Sequence, residues 1–383
     1  MISQKENSRR IAYLVTEDWY FCSHRLTLGI SAKKRGYDVD VVTRFNRHRD
    51  QVVSAGLRDV DSPLRRTRMG PLGELLSIWR LYRLYRKGQY KIVHQVGMKP
   101  VVYGSLCALA CPRIRVVNAL GGLGFVFTSN DLRARIIRPL LGLALRWLIN
   151  GSKGKLILQN PDDIEYCVQR LRVDPEKVVL IRGAGVNMDT YRPEDIETAL
   201  PIVMLASRML WNKGVGDFVE AAMLLIRSKV QARFVLVGGL DEDNPLCISE
   251  VQLRAWQEAG IDWWGNRADM ASVLASANIV VLPTTYGEGV PKVLIEAASC
   301  AKPIVATKVA GCKEIVRDGE NGILVKPGDT EELAGAILVL LNDPQKARQM
   351  GQHGRTLVRN EFTEASVISR TLEVYEDVQS LQA

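Results

Sequence analysis

The sequence predicts an α/β protein built from two doubly wound, Rossmann-like domains facing across a cleft. Three observations lead there. Short apolar runs alternate with helical stretches along most of the chain, the pattern of parallel sheets with helices on both faces. The alternation pauses at Gly183 to Pro193 (GAGVNMDTYRP), a run of turn residues, and then restarts. Charge divides near the same place: residues 1–192 carry 33 Lys/Arg against 16 Asp/Glu, and residues 193–383 carry 18 against 26. A chain of 383 residues accommodates two domains of ordinary size. The expected boundaries are 1–190 and 191–363, with helical sequence over 364–383 packing across the hinge.

In the first domain, residues 11–16 (IAYLVT) form a strand, and helix-compatible sequence runs from Ser23 to Gly36. Strands then follow at Val39–Thr43, Lys91–His94, Arg115–Asn118, Lys155–Leu158 and Val178–Ile181. Two helical stretches are amphipathic. Residues 78–87 gather Arg80, Arg83, Arg86 and Lys87 on one side and Ile78, Leu81, Tyr82, Leu84 and Tyr85 on the other. Over 132–149, Arg135, Arg138 and Arg146 oppose Leu132, Ile136, Leu140, Leu143 and Trp147. Such helices either pack their apolar side on a core or lie on an anionic membrane.

The second domain has strands at Ile202–Ala206, Phe234–Val237, Ile279–Leu282, Ile304–Ala306 and Ile323–Val325. Ligands of such sheets bind beyond the carboxyl ends of the strands, so the space between the domains is the expected site. Ser207 to Gly214 (SRMLWNKG) follows the first of these strands. Arg208 and Lys213 stand there just before a helix, where cations oppose the helix dipole unless an anion joins them. Thr285 to Ala301 (TYGEGVPKVLIEAASCA) reads as loop then helix, with Pro291 at the first helical position. The free amides after Pro291 suit an anion. Glu288 precedes them and Glu296 lies roughly 7 Å beyond. Two carboxylates flanking an anion site fit ribose, diphosphate and sugar in a row. The plainer reading is a surface carboxylate at 288 and a Lys292–Glu296 helix pair.

Together these elements resemble the retaining glycosyltransferases of family 4, which have the two-Rossmann glycosyltransferase-B fold. SRMLWNKG resembles that family's Arg-x4-Lys-Gly segment, Val237-Gly238-Gly239 its strand-end glycines, and EGVPKVLIEA its Glu-x7-Glu element. The resemblance implies that Arg208 and Lys213 bind the donor diphosphate and that Glu296 binds ribose. It assigns Glu288 to the transferred sugar and Gly289, Val290, Pro291 and Lys292 to sugar and phosphate. Arg208, Lys213 and Glu288 are then the catalytic set. In the first domain, Phe21-Cys-Ser-His-Arg25 and residues 118–127 (NALGGLGFVF) resemble bacterial members that extend lipid-linked saccharides. His24, Arg25 and Gly124 are expected on the acceptor side and Gly122 near the donor. The family's histidine at this last strand end is replaced by Asn118-Ala119-Leu120-Gly121. A Gly-Gly pair after the first strand is replaced by Glu17-Asp18-Trp19-Tyr20. For His24 and His94 taken singly, a structural role is the simpler reading.

The expected activity is transfer of a sugar, an N-acetylhexosamine by resemblance, from a UDP-sugar to an undecaprenyl-diphosphate-linked saccharide, with retention. No cofactor is called for. Asp241-Glu242-Asp243 follows Val237-Gly238-Gly239 in a polar loop ending in Pro245 and reads as a solvated turn, and two cations already do what a metal would do at the leaving group. Seven cysteines without a Cys-x-x-Cys pair fit a reducing cytoplasm and no structural zinc; Cys107 and Cys111 read as buried thiols. No run reaches the 18 or more apolar residues of a membrane span, and residues 1–10 lack a signal-peptide core. The expected place is therefore cytoplasmic, peripheral on the inner membrane face, held by charge attraction that fades with salt. Nucleic acid is not an expected partner. Two rivals stand beside this reading: a nucleotide-sugar epimerase of the same plan, and a non-catalytic basic module that binds membrane or nucleic acid.

Overall fold

The computed structural model describes residues 9–66, 70–128, 131–194, 196, 198–285 and 287–380, with the backbone alone at Phe125, Thr128 and Arg133. The polar stretch 1–8, Tyr286 and residues 381–383 lie outside them.

The chain divides into two compact units, Met1–Ile181 with Val367–Ala383, and Arg182–Ser366. The division falls just before the turn-rich Gly183–Pro193, so the expected boundary at 190 lies within unit 2. The helix Glu364–Ser380 starts in unit 2, and its body belongs to unit 1.

Among the described residues, unit 1 holds seven strands: β1 (Arg9–Glu17), β2 (Tyr37–Arg44), β3 (Arg58–Asp61), β4 (Ile92–Val96), β5 (Arg115–Ala119), β6 (Gly154–Leu158) and β7 (Val178–Leu180). They pair in the order β3-β2-β1-β4-β5-β6-β7, all parallel, with Ile11 opposite Val39 on one side and Ile92 on the other. Alternation along β1 assigns the two cores. Ile11, Tyr13 and Val15 meet Leu28, Ala32 and Val52, together with Leu372 and Tyr375 of the C-terminal helix. Ala12 and Leu14 meet Leu81, Tyr85 and Cys107 on the other face.

Unit 2 holds β8 (Ile202–Ala206), β9 (Arg233–Val237), β10 (Ile261–Trp263), β11 (Ile279–Leu282), β12 (Ile304–Thr307) and β13 (Gly322–Val325), in the parallel order β10-β9-β8-β11-β12-β13. Eleven of the thirteen strands coincide with the expected ones within two or three residues at either end. The two that sequence reading passes over, β3 (RDVD) and β10 (IDW), are edge strands. Edges are kept short and charged, which removes the apolar signal that marks an inner strand.

Two helical expectations are corrected. The stretch expected as one helix from Ser23 is two, Asp18–His24 and Leu26–Lys34, broken at Arg25 (φ −135°, ψ −7°). Pro291 caps the helix Lys292–Ser299 from outside rather than opening it.

The basic helices differ from one another. In Pro71–Gly88, Leu81 and Tyr85 are buried and Arg80, Arg83, Arg86 and Lys87 are exposed, as the pattern predicts. In Leu132–Gly151 the buried side is Ala134, Leu145, Leu148 and Ile149, while Leu132, Ile136, Leu140, Leu143 and Trp147 face solvent. That helix is apolar on two sides, and only one can meet the sheet. Among the described residues no helix is long and apolar enough to cross a membrane.

Gly311 sits where a Cβ would stand 1.6 Å from the carbonyl oxygen of Gly289 and 2.7 Å from that of Glu288. Gly335, on the exposed side of the helix Thr330–Asn342, has nothing within 4 Å. Gly311→Ala is therefore expected to cost about 1–3 kcal/mol in urea unfolding, as overpacking does. Gly335→Ala should stabilise by about 0.5–1 kcal/mol. Equal stabilities for the two variants would show that the 288–289 loop is not held against Gly311.

Candidate active site

In unit 2 the strand order reverses between β8 and β11, and the loops that leave these neighbours carry the chemistry. After β8 the chain makes a 3-10 turn, Trp211–Lys213, and Gly214 takes a left-handed conformation (φ 74°) before the helix Val215–Arg227. A Cβ at Gly214 would stand 2.0 Å from the carbonyl oxygen of Pro283, so the glycine is what lets the two loops touch. The contact is then stitched. Thr285 N donates to Asn212 O at 3.2 Å, and Thr284 Oγ1 donates to the same oxygen at 3.0 Å. Thr307 Oγ1 at the end of β12 donates to Thr284 O at 2.5 Å.

This stitching brings Lys213 and Glu288 together. Lys213 Nζ lies 2.6 Å from Glu288 Oε1, both side chains largely buried at 16% and 12% exposure. Thr284 Oγ1 also reaches Glu288 Oε1, at 2.9 Å. Arg208, on the other side of the same loop, pairs with Asp241 Oδ2 at 2.6 Å. Asp241 is therefore not the solvated turn residue expected; it partners the second cation, and its amide N donates to Cys247 Sγ at 3.3 Å. Burial pushes the thiol of Cys312, behind this cluster, well up; the Glu288 charge adds to the rise and Lys213 opposes it.

Glu296 is inside the Lys292–Ser299 helix and nearly buried. Lys292 Nζ reaches its Oε1 at 2.8 Å, the helix pair anticipated above. A second contact was not anticipated. Tyr191 hydrogen-bonds Glu296, and its phenol is pushed above the ordinary range, first by burial and then by that carboxylate. Gly289, Val290 and Pro291 connect the two glutamates, with Val290 packed in the core of the unit and beside Gly183.

Unit 1 gathers its candidates at the carboxyl ends of β1, β5 and β6. His24 stacks on Tyr20, with ring centroids 4.2 Å apart. A Cβ at Gly121 would stand 3.4 Å from the Tyr20 hydroxyl. Gly122 (φ 103°) and Gly124 (φ 77°) complete the loop in conformations other residues rarely take. So His24, Tyr20 and the glycine loop form one neighbourhood. Arg25 points elsewhere: it is 6% exposed and acts on the buried Tyr13, His94 and Tyr375. Its Nη1 donates to His24 O at 3.2 Å, and a buried polar network lies within reach of its charge. There His94 Nδ1 and Tyr375 Oη lie 2.6 Å apart, and Tyr375 Oη donates to Tyr13 Oη at 3.0 Å. His94 is thus a structural histidine held neutral, because burial and then Arg25 press its protonation well down.

Two aspartates place the loops of this unit. Asp18 accepts from the amides of Asn46, Arg47 and His48 at 2.7, 3.0 and 2.9 Å. Burial alone would raise its carboxyl, but these amides and that of Trp19 hold it below the usual range. Asp163 is held by Asn160 Nδ2 at 2.9 Å and accepts from the amide of Leu123 in the glycine loop. Burial lifts it to about 6, against Asn160 and Leu123, which lower it.

The sequence model for "Glycosyl transferases group 1" matches residues 200–343, and that for "Glycosyl transferase 4-like" matches residues 10–160. The chain belongs to the family 4 glycosyltransferases. Among relatives of this transferase is the N,N'-diacetylbacillosaminyl-diphospho-undecaprenol alpha-1,3-N-acetylgalactosaminyltransferase of Campylobacter jejuni. It is 25% identical over 382 residues, covering 96% of this chain and 99% of the relative. The UDP-Gal:alpha-D-GlcNAc-diphosphoundecaprenol alpha-1,3-galactosyltransferase of Escherichia coli is 25% identical over 322 residues, 80% of each chain. Anabaena HepE, solved in complex with UDP, shares the glycosyltransferase-B fold with a TM-score of 0.78 at 18% identity, covering 97% of this chain and all of that one.

Sequence reading of the transferase missed Asp241, Thr284, Tyr191 and Asp163. Thr284 left a local signal, as a hydroxyl at a strand end directly before the motif loop. Asp241 and Tyr191 act across 33 and 105 residues of chain and leave none; Asp163 follows the helix start Asn160-Pro161, but its second partner, Leu123, lies 40 residues away.

Two predictions follow from this geometry. Arg208→Ala and Lys213→Ala are each expected to lower turnover about 10²–10³-fold. Lys213→Ala should also lose more stability, because it strands a largely buried Glu288. Turnover and melting temperature of both variants check this, and near-normal turnover in both would end the assignment. For Asp163 the raised folded value means that stability present at low pH is lost as pH rises through about 6. Relative to Asp163→Asn, the wild type should lose about 2 kcal/mol between pH 4.5 and pH 7.5. A gap between the two proteins that stays constant with pH in urea unfolding would contradict this environment for Asp163.

Proposed function

We propose that this transferase moves a sugar from a UDP-sugar to a hydroxyl of an undecaprenyl-diphosphate-linked saccharide, with retention and without a metal. The transfer takes place at the cytoplasmic face of the membrane. The observation that carries the reading is the meeting of Lys213 and Glu288 at 2.6 Å at the switch point of the unit 2 sheet. It sets a cation for the leaving diphosphate beside a carboxylate for the transferred sugar. The names of the Campylobacter and Escherichia relatives support the acceptor class, since both end their acceptors in diphospho-undecaprenol. Both names also specify an alpha linkage, and an alpha product from an alpha-configured UDP-sugar is retention. The donor sugar we favour is an N-acetylhexosamine.

In this reading the donor diphosphate takes Arg208 and Lys213 away from Asp241 and Glu288. Glu288 turns to the hydroxyls of the sugar, and Glu296 holds the ribose. The bond from the anomeric carbon to the phosphate oxygen breaks as the acceptor oxygen attacks from the same face. The departing oxygen takes the acceptor proton, so no protein base is needed. The two cations and the amides of Val290 and Lys292 stabilise the charge that develops on the leaving group. In unit 1, His24, Arg25 and Gly124 are the residues we assign to the acceptor.

The experiment is transfer to a synthetic undecaprenyl-diphosphate saccharide with UDP- and GDP-sugars, in EDTA and with added Mg²⁺ or Mn²⁺. The expected outcome is a UDP-sugar-dependent alpha-linked product that forms in EDTA. Free sugar released without an acceptor would assign the epimerase instead. Activity lost in EDTA and restored by metal would end the metal-independent mechanism.

A further inference from the structure

We propose that one face of unit 1 is a lipid-bilayer docking surface, in which the exposed stripe of the helix Leu132–Gly151 inserts among the lipids. Leu132, Ile136, Leu140, Leu143 and Trp147 are 60–70% exposed. At about 100° per residue they fall within about 80° of arc, along roughly 22 Å of helix axis. Single exposed leucines are ordinary, but five in one line are not. Nor is the stripe a core face left open, because the opposite side of the same helix already meets the sheet through Leu145 and Ile149.

The neighbouring surface continues the pattern. The helices Pro71–Gly88 and Leu132–Gly151 both pack against Met98–Leu109 and flank it on one face of the sheet. The first half of Pro71–Gly88 exposes Leu72, Leu75, Leu76 and Trp79. Its second half exposes Arg80, Arg83, Arg86 and Lys87 along the same side, with the Arg83 guanidinium 4.7 Å from the Trp79 ring. Arg135 and Arg146 are exposed along one edge of the other stripe. Across both helices the sequence has eight Lys/Arg and one acid, Glu74, which Lys99 occupies at 2.9 Å.

This chemistry selects the occupant. A bilayer offers anionic headgroups over an apolar interior, the order in which guanidinium and leucine are arranged here. Tryptophan at the boundary suits the headgroup level. A second copy of the chain fits poorly, since a twofold contact would confront Arg135 and Arg146 with their own kind. The proposal takes its purpose from the lipid-linked acceptor but is tested without transfer. It also alters the expectation from charge alone: binding should have a salt-sensitive part from the arginines and a part that persists when salt screens them.

The test is co-sedimentation of the full chain with vesicles of equimolar phosphatidylcholine and phosphatidylglycerol at low and high salt. Tryptophan quenching by brominated acyl chains is read in parallel. Wild type should bind at both salts, more weakly at high salt, and bromine should quench its fluorescence. The triple variant Ile136→Ser, Leu140→Ser, Leu143→Ser lies on the exposed face and should melt as wild type does. It should lose about tenfold or more in vesicle binding, lose most of the quenching, and keep UDP binding. Arg135→Glu with Arg146→Glu should lose chiefly the salt-sensitive part. Vesicle binding by the triple variant equal to wild type, or wild-type binding without quenching, would overturn the proposal. So would wild-type self-association that the triple variant abolishes, with no vesicle binding, which would assign the face to a second copy. If the vesicle results hold but the lipid-linked saccharide is not a substrate, the acceptor reading falls and the docking surface stands.

Discussion

The contact between Lys213 and Glu288 is the constraint on which unit 2 depends. Two oppositely charged groups this poorly exposed repay their desolvation only when their geometry is fixed. The fold fixes it with backbone. Gly214 lets the β8 loop lie on Pro283, Thr284 and Thr285 bond Asn212, Thr307 holds Thr284, and Gly311 admits the 288–289 loop from behind. Three strand ends, those of β8, β11 and β12, and the segment after β12 are thereby committed to one cation and one carboxylate. Substituting either glycine acts on the backbone of this frame, whereas substituting Lys213 or Glu288 acts on the charge it carries.

Pairing also accounts for how cations remain at a helix N-terminus where the dipole disfavours them. Asp241 neutralises Arg208, and Glu288 neutralises Lys213, so the loop is electrically quiet as it stands. A diphosphate that enters must displace carboxylates, and it gains by offering more charge and more acceptor oxygens to the same two donors. In the proposed mechanism the displaced Glu288 is not wasted, because the sugar sits where its carboxylate is released. Glu296 is restrained differently. Lys292 and Tyr191 both reach it, and Tyr191 is itself anchored through its carbonyl by Ser299 Oγ at 2.6 Å. A carboxylate held from two sides suits a fixed contact such as ribose better than a moving charge.

Much of this was legible in sequence because it is local. The strands of both sheets are buried runs of β-branched residues, and Arg208, Lys213, Glu288 and Glu296 stand in fixed spacing around two strand-to-helix turns. What was not legible is what depends on partners far along the chain. Asp241 looked like a solvated turn because it stands in a polar loop between Val237-Gly238-Gly239 and Pro245, and its cation arrives from the loop after β8. Arg25 is buried because the break between two short helices turns it inward, where its charge acts on Tyr13, His94 and Tyr375. Edge strands β3 and β10 lack the apolar run that identifies their inner neighbours.

The helix Leu132–Gly151 shows why periodicity can name an apolar face without saying where it points. Its sequence satisfies two apolar stripes at once, one of Ala134, Leu145, Leu148 and Ile149 and one of Leu132, Ile136, Leu140, Leu143 and Trp147. Packing against β6 decides between them on volume: Leu145 and Ile149 reach Leu156 and Leu158, and Ala134 and Gly142 allow close approach, with Leu171 against Gly142. The larger, more apolar stripe is the one turned away. A helix that only covers a sheet carries mostly polar residues there, as Thr330–Asn342 does with Glu331, Glu332 and Asn342 beside a single exposed large apolar residue, Val339. Keeping five large side chains in water carries an aggregation hazard, and arginines at the edge reduce it without removing it. In the proposed docking, burial of that stripe in lipid would remove the hazard and bring the basic unit to the surface where the proposed lipid-linked acceptor presents its saccharide.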